Sequence, residues 1–111
     1  MNESLPVLSV SDYNQYFKTL IDYDPLLQNC RIEGEVSSFK YYKQGQQVYF
    51  TLTDGISLLN CVIYNAHQKK LDRLLDIGKS ITIHGKCNFF KQKGSVIFQA
   101  SYAFESGLGS Q

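Results

Sequence analysis

The spacing of apolar residues changes at Cys30, and this change most constrains what the chain can fold into. Before that residue, apolar side chains recur three and four residues apart between Tyr13 and Ile21, the spacing of one helical face. After it, apolar and polar residues alternate in short segments separated by turns. Such alternation is typical of half-buried strands. We therefore expect a domain built mainly from β-strands and preceded by one helix.

Five segments carry the alternation: RIEGEVSSF, VYFTLTD, LLNCVIY, SITIHGKCNFF and SVIFQASYAF. Between the third and fourth, AHQKKLDRLLDI predicts a short helix that Asn65 caps, that turns Leu71, Leu74 and Leu75 inward and that Gly78 ends. Gly34 lies inside the first strand, where a glycine indicates a bend or bulge. Five short strands with this helix after the third are typical of the OB-fold. The expected fold class is thus a mainly β, five-stranded Greek-key barrel with an N-terminal flanking helix.

The first helix has clear boundary signals. Ser9 is placed to cap it, Asp12 follows three residues later as in a capping box, and Pro25 ends it. With 111 residues the chain suffices for one domain. We expect a helical segment at 1–29, a nucleic-acid-binding OB domain at 30–106, and the start of a linker at 107–111.

The cysteines and other apolar residues indicate a core without cross-links. Cys30, Cys61 and Cys87 lie far apart, which argues against a disulfide framework and favours a reducing compartment. Strand parity places Cys61 and Cys87 in the core, together with one of the adjacent pair Phe89 and Phe90. The sequence shows neither a signal peptide nor an apolar run of about 20 residues, so a cytoplasmic location is expected.

Catalytic chemistry is not expected from these residues. The cysteines and histidines lack metal-ligand spacing. His67 and His84 have no evident nucleophile or carboxylate partner. Glu33 and Glu35 share one face of a strand, either as paired acids or as a solvated edge. We therefore expect neither a cofactor nor a metal.

Positive charge and aromatic rings coincide in two parts of the chain. The net charge is only +1, but residues 36–53 and 77–104 contain no acidic residue. An OB-fold binds oligonucleotides on its second and third strands, between the loops that join strands 1–2 and 4–5. Rings there would stack on bases, and lysines would neutralise phosphates. The predicted nucleic-acid-binding residues are Lys40, Tyr41, Tyr42, Lys43, Tyr49, Thr51, Asn60, Tyr64, His84, Lys86, Phe90, Lys91 and Lys93.

Other roles for the same rings remain open. Tyr49 and Tyr64 would equally serve to cover the barrel against the first helix. Tyr41 and Tyr42 would equally serve to contact another protein domain. A protein-docking module and an RNA-binding OB domain therefore remain alternatives to single-stranded DNA binding.

Several short motifs together resemble the start of the large subunit of exodeoxyribonuclease VII. They are LSVS at 8–11, IEGEVS at 32–37, YFTLTD at 49–54, LNCVIY at 59–64, IHGK at 83–86 and GLG at 107–109. The resemblance covers nearly the whole chain. It implies an N-terminal OB domain that binds single-stranded DNA and passes it to a following nuclease domain.

The resemblance also implies what surrounds such a domain. Enzymes of this family degrade single-stranded DNA to oligonucleotides without requiring a divalent metal, and they work with several copies of a small subunit. That subunit would contact parts of the large subunit outside these residues, and no catalytic residue carries over. The family has Arg at Asn60 and His84, Lys at Thr53, and a Tyr-Glu-Pro-Arg-Gly loop at 90–94. With these charges changed, we expect DNA binding to be weaker or shifted toward that loop.

Overall fold

The computed structural model describes residues 4–42, 46–66, 69 and 72–106. One helix precedes five strands: α1 (Val10–Asp22), β1 (Cys30–Tyr42), β2 (Gln47–Thr53), β3 (Leu58–Tyr64), β4 (Ser80–Phe90) and β5 (Ser95–Glu105). The strands close into a barrel in the order β1-β2-β3-β5-β4. Strands β3 and β5 are parallel, and the other four pairings are antiparallel. This topology confirms the predicted OB-fold barrel with its N-terminal helix.

The barrel interior is filled by the apolar residues that the alternation assigned to one face. Leu52, Ile63, Ile81 and Ile83 are all at most 2% exposed. Each such side chain contributes about 1.5–3 kcal/mol by leaving water. Cys61 is buried among them as predicted. These inward side chains oblige their strand neighbours to face outward, and this fixes which residues can form a surface site.

Cys87 does not lie in the barrel core, contrary to the prediction, and is only half-buried. Its backbone N–H donates to the Leu27 carbonyl at 2.7 Å. This part of β4 is therefore bonded to the segment that follows α1, beyond the last residue of β4 that pairs with β1. Burial there, with Cys30 and Asp22 as lesser causes, raises the pKa of the Cys87 thiol.

Two irregularities in the strands shape the barrel. The β1–β2 register shifts between Val36 and Ser38, close to the bend predicted at Gly34. The β4–β5 register shifts at Gly85, where a Cβ atom would meet the Gln99 carbonyl oxygen and lie 2.8 Å from Ala100 Cα. Only a residue without a side chain permits this close approach of the two strands.

The helix predicted between strands 3 and 4 is not shown. The described part of that connection contains a single 3-10 turn, Asp72–Leu74, and Leu71 lies outside the described residues. Asn65 has a left-handed φ of 59° instead of the extended conformation of a helix cap. Leu74 is half-buried and Leu75 buried, so both apolar residues do face the barrel as expected.

Helix α1 packs on β4 through one face and leaves another exposed. Ser9 caps the helix as predicted, since its Oγ accepts the Asp12 N–H at 3.0 Å. Phe17 meets Phe89 edge to face with centroids 5.0 Å apart, and Ile21 is 4% exposed. Phe89, at 5% exposed, is thus the buried member of the pair, whereas Phe90 is 36% exposed.

Candidate nucleic-acid interface

A groove of about 670 Å³ lies between the β1–β2 hairpin and the turn that joins β4 to β5. Outward residues of β2 and β3 form its floor, and Ser95, Val96 and Ile97 of β5 close one side. Eight of the predicted residues line it: Lys40, Tyr42, Tyr49, Thr51, Asn60, Tyr64, Phe90 and Lys93. The fold therefore brings together most of a set that the sequence placed on four separate strands.

Three tyrosines and a lysine form a continuous cluster at one end of this groove. Tyr42 and Tyr49 meet edge to face, with centroids 5.2 Å apart and planes at 89°. Lys40 Nζ lies over the Tyr42 ring, 5.2 Å from its centroid. Burial, then the neighbouring Tyr49 phenol, raises the pKa of Tyr64. Tyr64 therefore stays a neutral phenol at physiological pH and adds no negative charge to a cationic groove.

The strand register explains how this cluster forms. Lys40 pairs with Tyr49 across β1 and β2, and Tyr42 pairs with Gln47. Gln47 in turn pairs with Tyr64 on β3. Diagonal neighbours on one face of antiparallel strands lie within reach of aromatic side chains. The three rings therefore meet because alternate residues of three adjacent strands share the outer face.

Polar side chains continue the groove floor beside the rings. Ser38 Oγ lies 3.1 Å from Thr51 Oγ1, and Thr51 pairs with Asn60 across β2 and β3. Hydroxyl and amide groups of this kind bind phosphate or sugar without reading a base. Val62 also has outward parity, but it is fully buried; its register partners on the adjacent strands are Tyr49 and Gln99.

The β4–β5 turn is held against α1 by two hydrogen bonds that sequence reasoning missed. Asn14 Nδ2 donates to the Lys91 carbonyl at 2.9 Å, and Lys91 Nζ donates to Gln15 Oε1 at 2.7 Å. The Lys91 ammonium therefore faces the helix, whereas Lys93 lines the groove. No local pattern could have signalled contacts between residues so far apart in sequence.

Tyr41 lies outside the groove, because neighbouring residues of a strand face opposite sides. Its ring packs edge to face on Phe39, with centroids 5.5 Å apart. The side chain of Phe39 packs in turn against the core. Lys43 is outside the described residues. Four binding residues were predicted at the β1–β2 connection: Lys40, Tyr41, Tyr42 and Lys43. Of these, Lys40 and Tyr42 face the groove.

His84 and Lys86 line a second, smaller pocket of about 140 Å³ with Gln28, Asn29 and Gln99. His84 Nε2 lies 2.6 Å from Asn29 Oδ1, a bond that fixes the imidazole ring. These two predicted residues therefore lie outside the groove that the β4–β5 turn borders. They lie nearer the middle of β4, whereas its last residue, Phe90, lines the groove.

The lysines in the groove lack the ion pairs that two other described lysines form. Lys79 Nζ lies 2.8 Å from a Glu105 carboxylate oxygen, and Lys18 pairs with an acidic residue one helical turn later. Lys40 and Lys93 have no carboxylate within ion-pair distance in the described part of the chain. Their charge is therefore available to an anionic ligand.

Across 4–42, 46–66, 69 and 72–106, no three His, Cys, Asp or Glu side chains are grouped as metal ligands. No helix within these ranges has the length and apolar character needed to cross a membrane.

The barrel and its cationic, aromatic groove are typical of OB-fold domains that bind oligonucleotides. Residues 8–103 match the family described as "OB-fold nucleic acid binding domain", and the chain belongs to this family. Within it, the chain is similar to the Exodeoxyribonuclease 7 large subunit of Thermoanaerobacter sp. (strain X514). The two are 34% identical over 106 residues, which are 96% of this chain and 26% of that protein.

The chain spans about a quarter of the length of the curated relatives it matches. It is homologous to the N-terminal part of the exodeoxyribonuclease VII large subunit, as the motifs indicated. This match is independent of the site geometry, because it rests on sequence identity spread over both helix and barrel.

Solved structures confirm the fold. The S. pombe Stn1–Ten1 complex superposes with a TM-score of 0.59 at 17% identity, covering 75% of this chain and 61% of that one. A small single-stranded DNA binding protein from Mycoplasma pneumoniae gives a TM-score of 0.58 at 14% identity, covering 74% and 97%. At such low identity these likenesses concern the barrel and carry no residue-level roles.

Proposed function

We propose that this chain binds single-stranded DNA in the groove between its two hairpins. The observation that carries the proposal is the cluster of Tyr42, Tyr49 and Tyr64 beside two lysines that lack acidic partners. The similar protein from Mycoplasma pneumoniae is named for single-stranded DNA binding, which supports this choice of ligand.

The ring geometry favours an unpaired strand over a duplex. Bases stack on aromatic rings through their flat faces, which a duplex buries between neighbouring pairs. Tyr42 and Tyr49 have planes at 89°, so two bases that stack on them are not parallel to each other. A single strand can turn between successive bases in this way, whereas a stacked helix cannot.

In a full-length relative, we infer, the domain at 30–106 holds the strand while a nuclease region degrades it. The helical segment at 1–29 supports the domain from one side. The small subunit would be a partner of the remaining polypeptide. The free thiols of all three cysteines are consistent with a reducing, cytoplasmic setting.

Fluorescence anisotropy with a labelled dT12 oligomer tests the binding proposal. Tyr49→Ala should weaken binding by about 1–3 kcal/mol, the value of one base–aromatic stack. Tyr13→Ala is the matched control, since Tyr13 is 62% exposed on α1 and outside the groove. Equal affinities of the two variants would contradict the proposal, as would equal affinity for a duplex of the same length.

Competition with a matched RNA oligomer separates DNA from RNA binding. RNA differs in presenting a 2′-hydroxyl, which a protein must contact in order to discriminate. We expect dT12 to be displaced only by excess U12. Equal competition would assign the groove to single-stranded nucleic acid of either kind.

A second function, protein docking, is favoured by the exposed face of α1. Tyr13, Tyr16, Leu20 and Tyr23 follow the spacing of one helical stripe, and each is more than half exposed. An apolar stripe of this kind is typical of a helix that contacts another protein. We propose that it contacts the remainder of a full-length large subunit. Pull-down of that remainder by this chain should be lost in the double variant Tyr16→Ser, Leu20→Ser, while dT12 affinity is unchanged.

A further inference from the structure

The strand register links the groove to the second pocket through a single row of residues. Lys40 pairs with Tyr49, Tyr49 with Val62, Val62 with Gln99, and Gln99 with Lys86. The row takes one residue from each of the five strands. Their strand neighbours Phe50, Cys61 and Phe98 fill the core, so the row has outward parity, although Val62 within it is itself buried.

This row is long enough to hold several nucleotides. Four steps between adjacent strands cover about 19 Å at the usual strand spacing. At the roughly 3.4 Å of a fully stacked nucleotide this corresponds to at most five or six nucleotides, and a strand that turns between its bases needs fewer. Strands in a barrel are tilted to its axis, so a row perpendicular to them runs obliquely along the surface instead of circling it. A flexible strand can follow such a path.

Each end of the row carries an exposed lysine. Lys86 is exposed and, like Lys40, has no carboxylate within ion-pair distance in the described part of the chain. Beside it, the Gln99 side-chain oxygen accepts from Asn88 Nδ2 at 3.2 Å. This bond orients the Gln99 amide, and its nitrogen makes no hydrogen bond to the described residues. An ammonium group and an oriented amide donor together suit a phosphodiester.

We propose that the pocket at Lys86 is a second phosphate-binding subsite on the same track. The single strand then crosses all five strands of the barrel, from Lys40 over Tyr49 and past Gln99 to Lys86. This inference rests on the proposed function, because it extends the path of the same ligand. Its ligand chemistry is the phosphodiester backbone, since Lys86 and Gln99 offer an ammonium and an amide, while the His84 ring in the same pocket is bonded to Asn29.

Anisotropy titrations with dT3 and dT12 over a series of NaCl concentrations test the subsite. A trinucleotide has only two phosphodiesters, on adjacent linkages, so it cannot place one at each end of the row. Lys86→Gln should leave dT3 affinity unchanged and weaken dT12 binding several-fold. It should also reduce the dT12 salt slope by about 0.7, the value for one phosphate contact on a single strand.

Lys79→Gln is the matched control, because Lys79 is paired with Glu105 and loses the same formal charge. Equal dT12 affinities of the Lys86→Gln and Lys79→Gln variants would overturn the subsite. The subsite would also be overturned if Lys86→Gln weakened dT3 and dT12 binding equally, because that result would indicate a general charge effect. In either case the proposed function stands if Tyr49→Ala still weakens dT3 binding.

Amide NMR shifts of the unmodified chain provide a readout that needs no variant. The Lys86 and Gln99 resonances should shift on addition of dT12 but not of saturating dT3, whereas the Tyr49 resonance should shift with both. If Lys86 and Gln99 remain unchanged with dT12 while Tyr49 shifts, the strand ends within the groove and the subsite is wrong.

Discussion

Asn14 and Lys91 are 77 residues apart in sequence and are joined by a 2.9 Å hydrogen bond from Asn14 Nδ2 to the Lys91 carbonyl. With the bond from Lys91 Nζ to Gln15, it fixes the β4–β5 turn to α1. Phe90 and Lys93, which line the groove, belong to this same turn. The helix therefore positions one wall of the groove without lining it.

Asn14→Ala should loosen this turn. Loss of one hydrogen bond should lower the free energy of unfolding by about 0.5–1.5 kcal/mol. Hydrogen exchange at the Gly94 amide should become faster, and dT12 should dissociate sooner. Ser11→Ala on the same helix, with no side-chain bond to lose, should behave as the unmodified chain. Unchanged exchange at Gly94 in Asn14→Ala would show that the strands alone hold the turn.

Tyr41→Ala and Tyr42→Ala should differ sharply in DNA affinity although the residues are adjacent. Tyr42 faces the groove beside Tyr49, whereas Tyr41 packs on Phe39. Removing the Tyr42 ring should cost about 1–3 kcal/mol of dT12 binding, and removing the Tyr41 ring should change affinity less than twofold. The measurement is anisotropy at one low salt concentration. A larger loss with Tyr41→Ala would mean that the hairpin presents its other face to the ligand.

Gly85→Ala should be strongly destabilising. The added methyl group would meet the backbone of Gln99 and Ala100, which cannot move without separating β4 from β5. Overpacking of this kind costs about 1–3 kcal/mol, and a backbone clash belongs at the upper end. Urea unfolding would measure the loss.

Gly34→Ala is the graded comparison for that experiment. Its added Cβ would lie 3.2 Å from Leu52 Cβ and from the Thr53 carbonyl oxygen. These contacts are tight but need only a small shift. We expect a smaller loss than at Gly85, and the reverse order would show that the β4–β5 irregularity tolerates a side chain.

The unfolding free energy should fall with rising pH above about 9 because of Cys61. Burial raises the pKa of the Cys61 thiol to about 12. The unfolded thiol loses its proton first, so the unfolded state binds fewer protons and stability decreases as pH rises. One such group contributes a slope of at most about 1.4 kcal/mol per pH unit.

Urea unfolding at pH 8, 9 and 10 would measure this slope in the unmodified chain and in Cys61→Ala. The variant starts from a lower stability because it leaves a cavity, but its stability should decline less between pH 9 and 10. Parallel declines in the two proteins would show that the thiol does not control stability in this range.

The strands and the ring cluster were predictable because both depend on short-range periodicity. Alternation identified the outward position of Tyr49 and Tyr64 without knowledge of the partner strands. The same alternation gives Val62 outward parity, yet Val62 is fully buried, since parity says which way a side chain points but not whether it is covered. Periodicity failed after Asn65, where a helical pattern is realised in the described residues only as one 3-10 turn.

By itself, the sequence determined a five-stranded barrel with tyrosines and lysines on its outer face, because each strand carries its own two-residue period. Only the tertiary structure decided which of those side chains share a groove. Lys93 enters it while Lys91 turns to the helix, and Lys86 lies at the far end of a row that begins at Lys40. These placements depend on pairing register and on packing between distant segments, and no local stretch of sequence encodes either.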